Sequence, residues 1–160
     1  MEKLKQILRG PPRLTLAVAE SMTCGRVQAR VGSVSGASEF FLGGITAYTL
    51  EQKVRQLGVA RVSAAAVNSV SAEVAEQMAR GVCGLFGSDL GLGTTGYAEP
   101  SVTPNVPVPY AWWALARRGA DGNFRVRSGR VDCPGLGRVP AQERVAEAVI
   151  LALYQWVGGR

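Results

Sequence analysis

Ser21 and Thr23 lie in Ala19-Glu20-Ser21-Met22-Thr23-Cys24-Gly25, directly after the apolar run Leu14-Thr15-Leu16-Ala17-Val18 and before a segment of helical character. Strand, tight polar turn and helix in that order place a hydroxyl at the carboxyl end of a strand. The first N–H groups of the following helix point at the same spot. An anionic or carbonyl ligand would be held there, with Gly25 letting the backbone approach closely and Glu20 adding a carboxylate whose partner lies elsewhere. A hydroxyl before a helix is also the plain N-cap, so the turn alone does not establish a nucleophile. The chain has no histidine, which removes Ser-His-Asp triads, Cys-His pairs and histidine-ligated metals. A nucleophilic Ser21 then needs a base from a lysine, a tyrosine, a carboxylate or the substrate. Cys24 is a rival nucleophile by position, since thiol pKa values fall at helix N-termini, but it has no evident base.

These groups are positioned by a regular alternation of elements. Leu4, Ile7 and Leu8 recur at helical spacing until Pro11-Pro12 ends the segment. Arg13 to Ala19 predicts the first strand, and Arg26 to Val34 a helix with Val27 and Val31 on one side. A second strand is expected over Gly44 to Tyr48, the Gly43-Gly44 pair marking a bulge or a close backbone approach. A short helix over Leu50 to Leu57 carries Lys53, which otherwise reads as a solvated helix lysine, and Tyr48 as a strand-end aromatic on the core. Ser63 is a candidate cap of one helix and Ser71 of a longer one, whose Val74, Met78, Val82 and Leu85 form a core stripe. Asp89 to Thr95, thin in side chains, predicts a central, closely packed strand that delivers Thr95-Gly96-Tyr97 to a loop. Pro100, Pro104, Pro107 and Pro109 keep that loop extended. Tyr110 to Arg117 and Phe124 to Val131 flank a turn-rich stretch and predict a hairpin. From Pro140 onward, Val145, Val149, Ile150, Leu153 and Trp156 define a last helix closed by Gly158-Gly159. The pattern predicts a three-layer α/β/α sandwich with a mixed, mainly parallel sheet, one domain over residues 1–160. Ligands of such sheets bind beyond the strands' carboxyl ends, where Ser21–Thr23, Tyr48–Lys53 and Thr95–Tyr97 converge.

Composition narrows the class further. With 160 residues and 47% hydrophobic content the chain can bury one real core. Its first residues mix charge with apolar groups unlike a secretory signal, and no apolar stretch is long enough to span a bilayer, so a soluble cytoplasmic protein is expected. Cys24, Cys83 and Cys133 read as reduced thiols rather than a disulfide or zinc framework. A net charge of +6 admits acidic partners, a phosphate-bearing small molecule as readily as nucleic acid. The one basic cluster, Arg125, Arg127 and Arg130, reads as a solvated strand face, and Trp112 and Trp113 as one core and one surface residue.

Taken in order and with their spacing, these segments resemble the CinA C-terminal domain family, whose best-defined members are nicotinamide mononucleotide amidohydrolases of the PncC type. The family pattern A-E-S-C-T-G-G corresponds to Ala19 through Gly25, G-A-S to Gly36-Ala37-Ser38, and F-x-x-G-x-x-x-Y-x-x-x-x-K to Phe41 through Lys53. V-S-x-x-V-A-x-x-M-A corresponds to Val70 through Ala79, and D-x-G-x-x-x-T-G-x-A-G-P to Asp89 through Pro100. The resemblance implies Ser21 as nucleophile on the nicotinamide carboxamide, Lys53 as its general base and Tyr48 as an assisting or positioning group. It implies substrate contacts from Glu20, Thr23, Gly25, Thr46, Thr95 and Gly96, with Arg138 or Arg144 facing the phosphate. No metal or organic cofactor is implied, and a homodimer is expected, with Trp113 or Trp156 at an exposed interface.

The chain departs from the pattern in four places. Cys24 replaces the first of two glycines, Leu50 an asparagine and Glu99 the glycine before Pro100, while Gly-Asp-Arg survives only as Gly137-Arg138. Glu99 either repels a substrate phosphate or faces solvent. An alternative class is therefore a non-catalytic or altered-specificity domain that binds a nucleotide or a partner. Nucleic-acid binding, which predicts strong salt sensitivity, is the least favoured.

Overall fold

A computed structural model describes residues 2–158 of the chain. A five-stranded sheet runs in the order β2-β1-β3-β4-β5, from β1 (Leu16–Glu20), β2 (Phe41–Thr46), β3 (Leu90–Tyr97), β4 (Tyr110–Arg118) and β5 (Phe124–Asp132). β1 is parallel to β2 and β3, and only β4 runs against the other strands. Helices α1 (Glu2–Arg9), α2 (Arg26–Gly32) and α6 (Arg138–Gly158) cover one face. Helices α3 (Leu50–Leu57), α4 (Arg61–Ala66) and α5 (Ala72–Phe86) cover the other. This is the expected three-layer sandwich with a mixed, mainly parallel sheet.

The alternation of side chains along each strand makes the two faces chemically unlike. Leu16 and Val18 of β1, Leu90 and Leu92 of β3 and Leu115 of β4 pack with Val27, Val149 and Leu153 in the larger cluster. The opposite face carries Ala17, Ala19, Ala114 and Ala116, with Gly91 and Gly93 in register with Ala116 and Ala114. Against it α5 presents Ala75 and Ala79. Helix and sheet therefore approach so closely that a Cβ on Gly91 would lie 1.9 Å from the Ala79 carbonyl oxygen, and one on Gly93 2.4 Å from that of Ala75. The scarcity of side chains in β3 has this close approach as its cause.

Several boundaries and placements differ from expectation. The second strand spans Phe41–Thr46 rather than Gly44–Tyr48, with a register shift opposite Leu16/Ala17 that skips Leu42, just before the glycine pair. Ser71 accepts a hydrogen bond from the Val74 N–H at 3.1 Å as predicted, but Ser63 lies inside α4, whose N-cap is Ala60. Val74, Met78 and Val82 are buried while Leu85 is 47% exposed, because Cys83 and Phe86 take the sheet-facing positions of the last turn of α5. α6 begins at Arg138, ahead of Pro140, and the helix-closing Gly159 lies outside the described residues, as do Met1 and Arg160. Arg130 projects from the face of β5 opposite to Arg125 and Arg127, stacked 3.8 Å over the Tyr110 ring and paired with Asp132, so the three arginines form no single face. Trp112 and Trp113 take opposite faces and both are partly buried, as is Trp156, against core clusters.

The close helix–sheet contact is directly testable. Gly91→Ala is expected to cost about 3 kcal/mol or more, because the new methyl meets backbone that cannot yield. Gly84→Ala, at an exposed helical position where a Cβ meets nothing within 4 Å, is expected to stabilise by about 0.5–1 kcal/mol. Urea unfolding midpoints of the two variants check both signs.

Candidate active site

The turn after β1 is shaped by one carboxylate. Glu20 is fully buried, and its oxygens accept from the N–H groups of Gly25 at 3.0 Å, Val27 at 3.2 Å and Gln28 at 2.8 Å. It thus occupies the N-terminus of α2, where the helix dipole and the unpaired donors favour a negative charge. To bring the chain round that carboxylate, Cys24 and Gly25 both adopt positive φ, 50° and 90°. No Cβ contact restricts Gly25, so this position requires conformation rather than space. The turn is then tied down beneath: the Thr23 and Thr94 hydroxyls meet at 2.7 Å, and the buried Gln142 amide donates to the Met22 carbonyl at 2.8 Å.

Lys53 reaches this turn from the opposite side. Thr49 caps α3, which orients the helix so that Lys53 points inward and is only 2% exposed. Its Nζ donates to Ser21 Oγ at 2.9 Å and to the Tyr48 carbonyl at 3.1 Å. Burial disfavours the ammonium and lowers the Lys53 pKa to about 8. Ser21 and Lys53 open into a cavity of about 270 Å³ whose other walls include Tyr48, Asn68, Ser69 and Thr95. A larger hollow of about 500 Å³ on α1, α2 and α6 is mainly apolar; its Ser33 hydroxyl donates to the Arg30 carbonyl and its Glu147 carboxylate takes the Arg30 guanidinium. Among the described residues no three Cys, Asp or Glu side chains gather as metal ligands.

A hydroxyl in contact with a buried amine, at the strand ends of this sheet, is joined by sequence similarity over almost the whole chain. Residues 2–156 match the CinA C-terminal domain model. The chain belongs to the CinA C-terminal domain family. It is 38% identical over 145 residues to a CinA-like protein of Chlorobium limicola, covering 90% of this chain and 34% of that protein. With a CinA-like protein of Gemmatimonas aurantiaca it shares 41% identity over 138 residues, 86% of this chain and 31% of the relative. The chain therefore spans about a third of the length of these curated relatives. A CinA superfamily structure from Klebsiella pneumoniae superposes with a TM-score of 0.88 at 22% identity, covering 99% of this chain and 95% of the other. A competence or damage-inducible protein from Enterobacter asburiae gives 0.78 at 23%, with 99% and 94% coverage.

In this CinA domain Ser21, Lys53, Tyr48, Thr95 and Gly96 line the same cavity, and Arg138 lines its neighbour together with Tyr48 and Gly96. Other expected contacts fall elsewhere. Glu20 is a helix cap with its oxygens engaged, and Thr23 is buried below the floor. Thr46 is exposed on β2, Arg144 is exposed on α6, and neither lines the cleft. Tyr48 is 51% exposed rather than packed on the core. Because Glu20 takes three N–H groups at the start of α2 and Arg26 donates to the Thr23 carbonyl, that helix end has no donor to spare for a ligand. The Met22 and Thr23 N–H groups of the turn itself donate to no acceptor among the described residues. Cys24 is an exposed thiol, and burial pushes the Cys83 and Cys133 thiols up. No helix among the described residues is long and apolar enough to cross a membrane.

Three contributors were not anticipated. Asn68 and Ser69 take positive φ, 49° and 60°, before the cap of α5, and Ser69 accepts the Thr95 hydroxyl at 2.6 Å. An Asn-Ser pair between two helices is the signal that could have marked them, since asparagine tolerates this conformation. Gln142 carried no usable signal, being one polar residue within an apolar stripe.

The buried amine has a measurable consequence for folding. The folded pKa of about 8 lies below the roughly 10.4 of an unfolded lysine. Between those values the unfolded chain binds the extra proton, so stability rises with pH across that window. Below it the parent carries a penalty on the order of 3 kcal/mol. Lys53→Met is therefore expected to be more stable than the parent at pH 7, by about 1–3 kcal/mol once lost hydrogen bonds are counted. Paired denaturant titrations at pH 7 and pH 10 should show that advantage shrink.

Proposed function

We propose that this CinA domain is a serine–lysine amidohydrolase that converts nicotinamide mononucleotide and water to nicotinic acid mononucleotide and ammonia. The observation that carries the reading is the 2.9 Å contact between Ser21 Oγ and a Lys53 amine whose pKa is lowered to about 8. At pH 7 roughly one such amine in ten is neutral and competent to accept a proton. It takes the proton of Ser21 as the oxygen attacks the carboxamide carbon. The resulting oxyanion is met by turn N–H groups, for which Met22 and Thr23 are the candidates. The same lysine returns its proton to the departing nitrogen, and ammonia leaves. A water activated by the neutral amine then hydrolyses the acyl-serine and restores Ser21. Tyr48 holds the amine through its carbonyl, which limits the rotamers Lys53 must search. No acid lies among the causes of the lysine's shift, as a base that must be neutral near pH 8 requires.

A second reading, a domain that binds a nucleotide or partner without turnover, draws on the Glu99 carboxylate seated on Arg138. Intact nucleotide binding with no ammonia released from any related carboxamide would establish it.

Ammonia release from nicotinamide mononucleotide by purified protein tests the primary reading. Ser21→Ala and Lys53→Met should each reduce it by about 10³-fold or more, and Lys53→Arg should not restore it because a guanidinium stays charged. The parent's kcat/KM should rise about tenfold per pH unit up to about 8 and then level, as the neutral amine accumulates. A profile flat from pH 6 to 9 would exclude Lys53 as the base.

A further inference from the structure

The cavity beside Ser21 and Lys53 shares Met22, Tyr48, Gly96 and Tyr97 with a neighbouring hollow of about 240 Å³ that ends at Glu99 and Arg138. Among the described residues lining the two, Lys53 and Arg138 are the cations and Glu99 the one acid. The Lys53 amine is buried and committed to Ser21 and the Tyr48 carbonyl. Arg138 is thus the group left to meet an anion at the far end, and it is already engaged. One of its Nη atoms donates to Glu99 Oε1 and the other to the Tyr48 hydroxyl at 3.4 Å. Glu99 sits in the loop after β3 and Arg138 opens α6, with side chains 53% and 46% exposed. The pair therefore sits at the open end of the cleft and is not part of the core. Exposed pairs of this kind hold loosely, and a phosphate monoester brings more charge and more acceptor oxygens to a guanidinium than a carboxylate does.

We propose that Glu99 is a displaceable internal anion: it occupies the Arg138 guanidinium and sets how tightly the cleft takes a phosphate-bearing ligand. A phosphate entering the outer hollow must expel the carboxylate from Arg138 and then lie near its charge. A ligand without phosphate leaves the pair intact. Glu99 in this way determines specificity through KM, from the outer hollow and not from the cavity that Ser21 lines. The substrate named for it rests on the amidohydrolase reading; the anion competition does not.

Two measurements on the full chain separate these. Calorimetric titration with inorganic phosphate should show Glu99→Gln binding about 3- to 10-fold tighter than the parent. Arg138→Gln should bind more weakly, and the gain should vanish in the double variant. In parallel, Glu99→Gln should lower KM for nicotinamide mononucleotide and raise its kcat/KM relative to the phosphate-free riboside by a similar factor. The phosphate titration decides the inference: equal affinity in parent and Glu99→Gln, or the same gain when Arg138 is replaced, overturns it. Ammonia release decides the reaction. No release by any form, with tighter phosphate binding in Glu99→Gln, would end the hydrolase reading and leave the role of Glu99 standing.

Discussion

The rest of this molecule is arranged around the burial of one amine. An ammonium withdrawn from water is costly unless an anion accompanies it, and among the described residues Lys53 has two neutral oxygens as its hydrogen-bond partners, the Ser21 hydroxyl and the Tyr48 carbonyl. Both accept from it, and neither supplies the negative charge that would hold its pKa up. Desolvation is accordingly the one cause of its shift. The nearest carboxylate in sequence to Ser21 is Glu20, and the fold turns it away from the amine and spends it on the start of α2. Had Glu20 faced Lys53, the result would be an inert ion pair. Placing the carboxylate on backbone donors and the amine on a hydroxyl gives two buried groups that flank one turn without forming an ion pair.

That separation depends on a turn stiff enough to keep the two apart. Five residues from Ser21 to Gly25 are held by the Glu20 cap, the Thr23–Thr94 contact and the Gln142 amide on the Met22 carbonyl. They join elements far apart in sequence: Thr94 lies on the central strand and Gln142 on the last helix. Cys24 in a left-handed conformation is a local cost of such tightness, which glycine would not bear. Strain of this kind persists only where surrounding contacts over-determine the backbone, and this turn meets that condition.

What could be read in the sequence follows from the range of the interactions involved. The apolar run Leu14-Thr15-Leu16-Ala17-Val18, the Ser71 cap and the turn-rich stretch between Arg117 and Phe124 are local signals, and each led to the right element. The close packing of β3 was legible because Gly91 and Gly93 have no other use in a buried strand. The placement of Glu20, Thr23 and Thr46 was not: Thr23 is turned down by Thr94 on a strand distant in sequence, and Glu20 folds back on N–H groups that only the left-handed turn at Cys24 and Gly25 presents to it. Glu20 and Thr46 are register partners on adjacent strands, yet one is fully buried on the α2 side and the other exposed. That Arg138 and not Arg144 lines the cleft was likewise hidden, because α6 starts two residues earlier than Pro140 suggested.

The small-residue face of the sheet then acquires a meaning beyond packing. Alanines and glycines on β1, β3 and β4 let α5 settle almost onto the strands, so the segment entering that helix, Asn68 to Val70, is drawn down over the ends of β1 and β3. There the Ser69 carbonyl accepts the Thr95 hydroxyl, and the Asn68 amide donates to the Tyr97 hydroxyl at 3.0 Å. A bulkier face would push α5 outward and lift this wall from the cavity that holds Ser21 and Lys53. Two methyl-sized economies in a central strand thus set the width of a cleft at its end. The depth of the site and the thinness of β3 are one structural fact seen from two places.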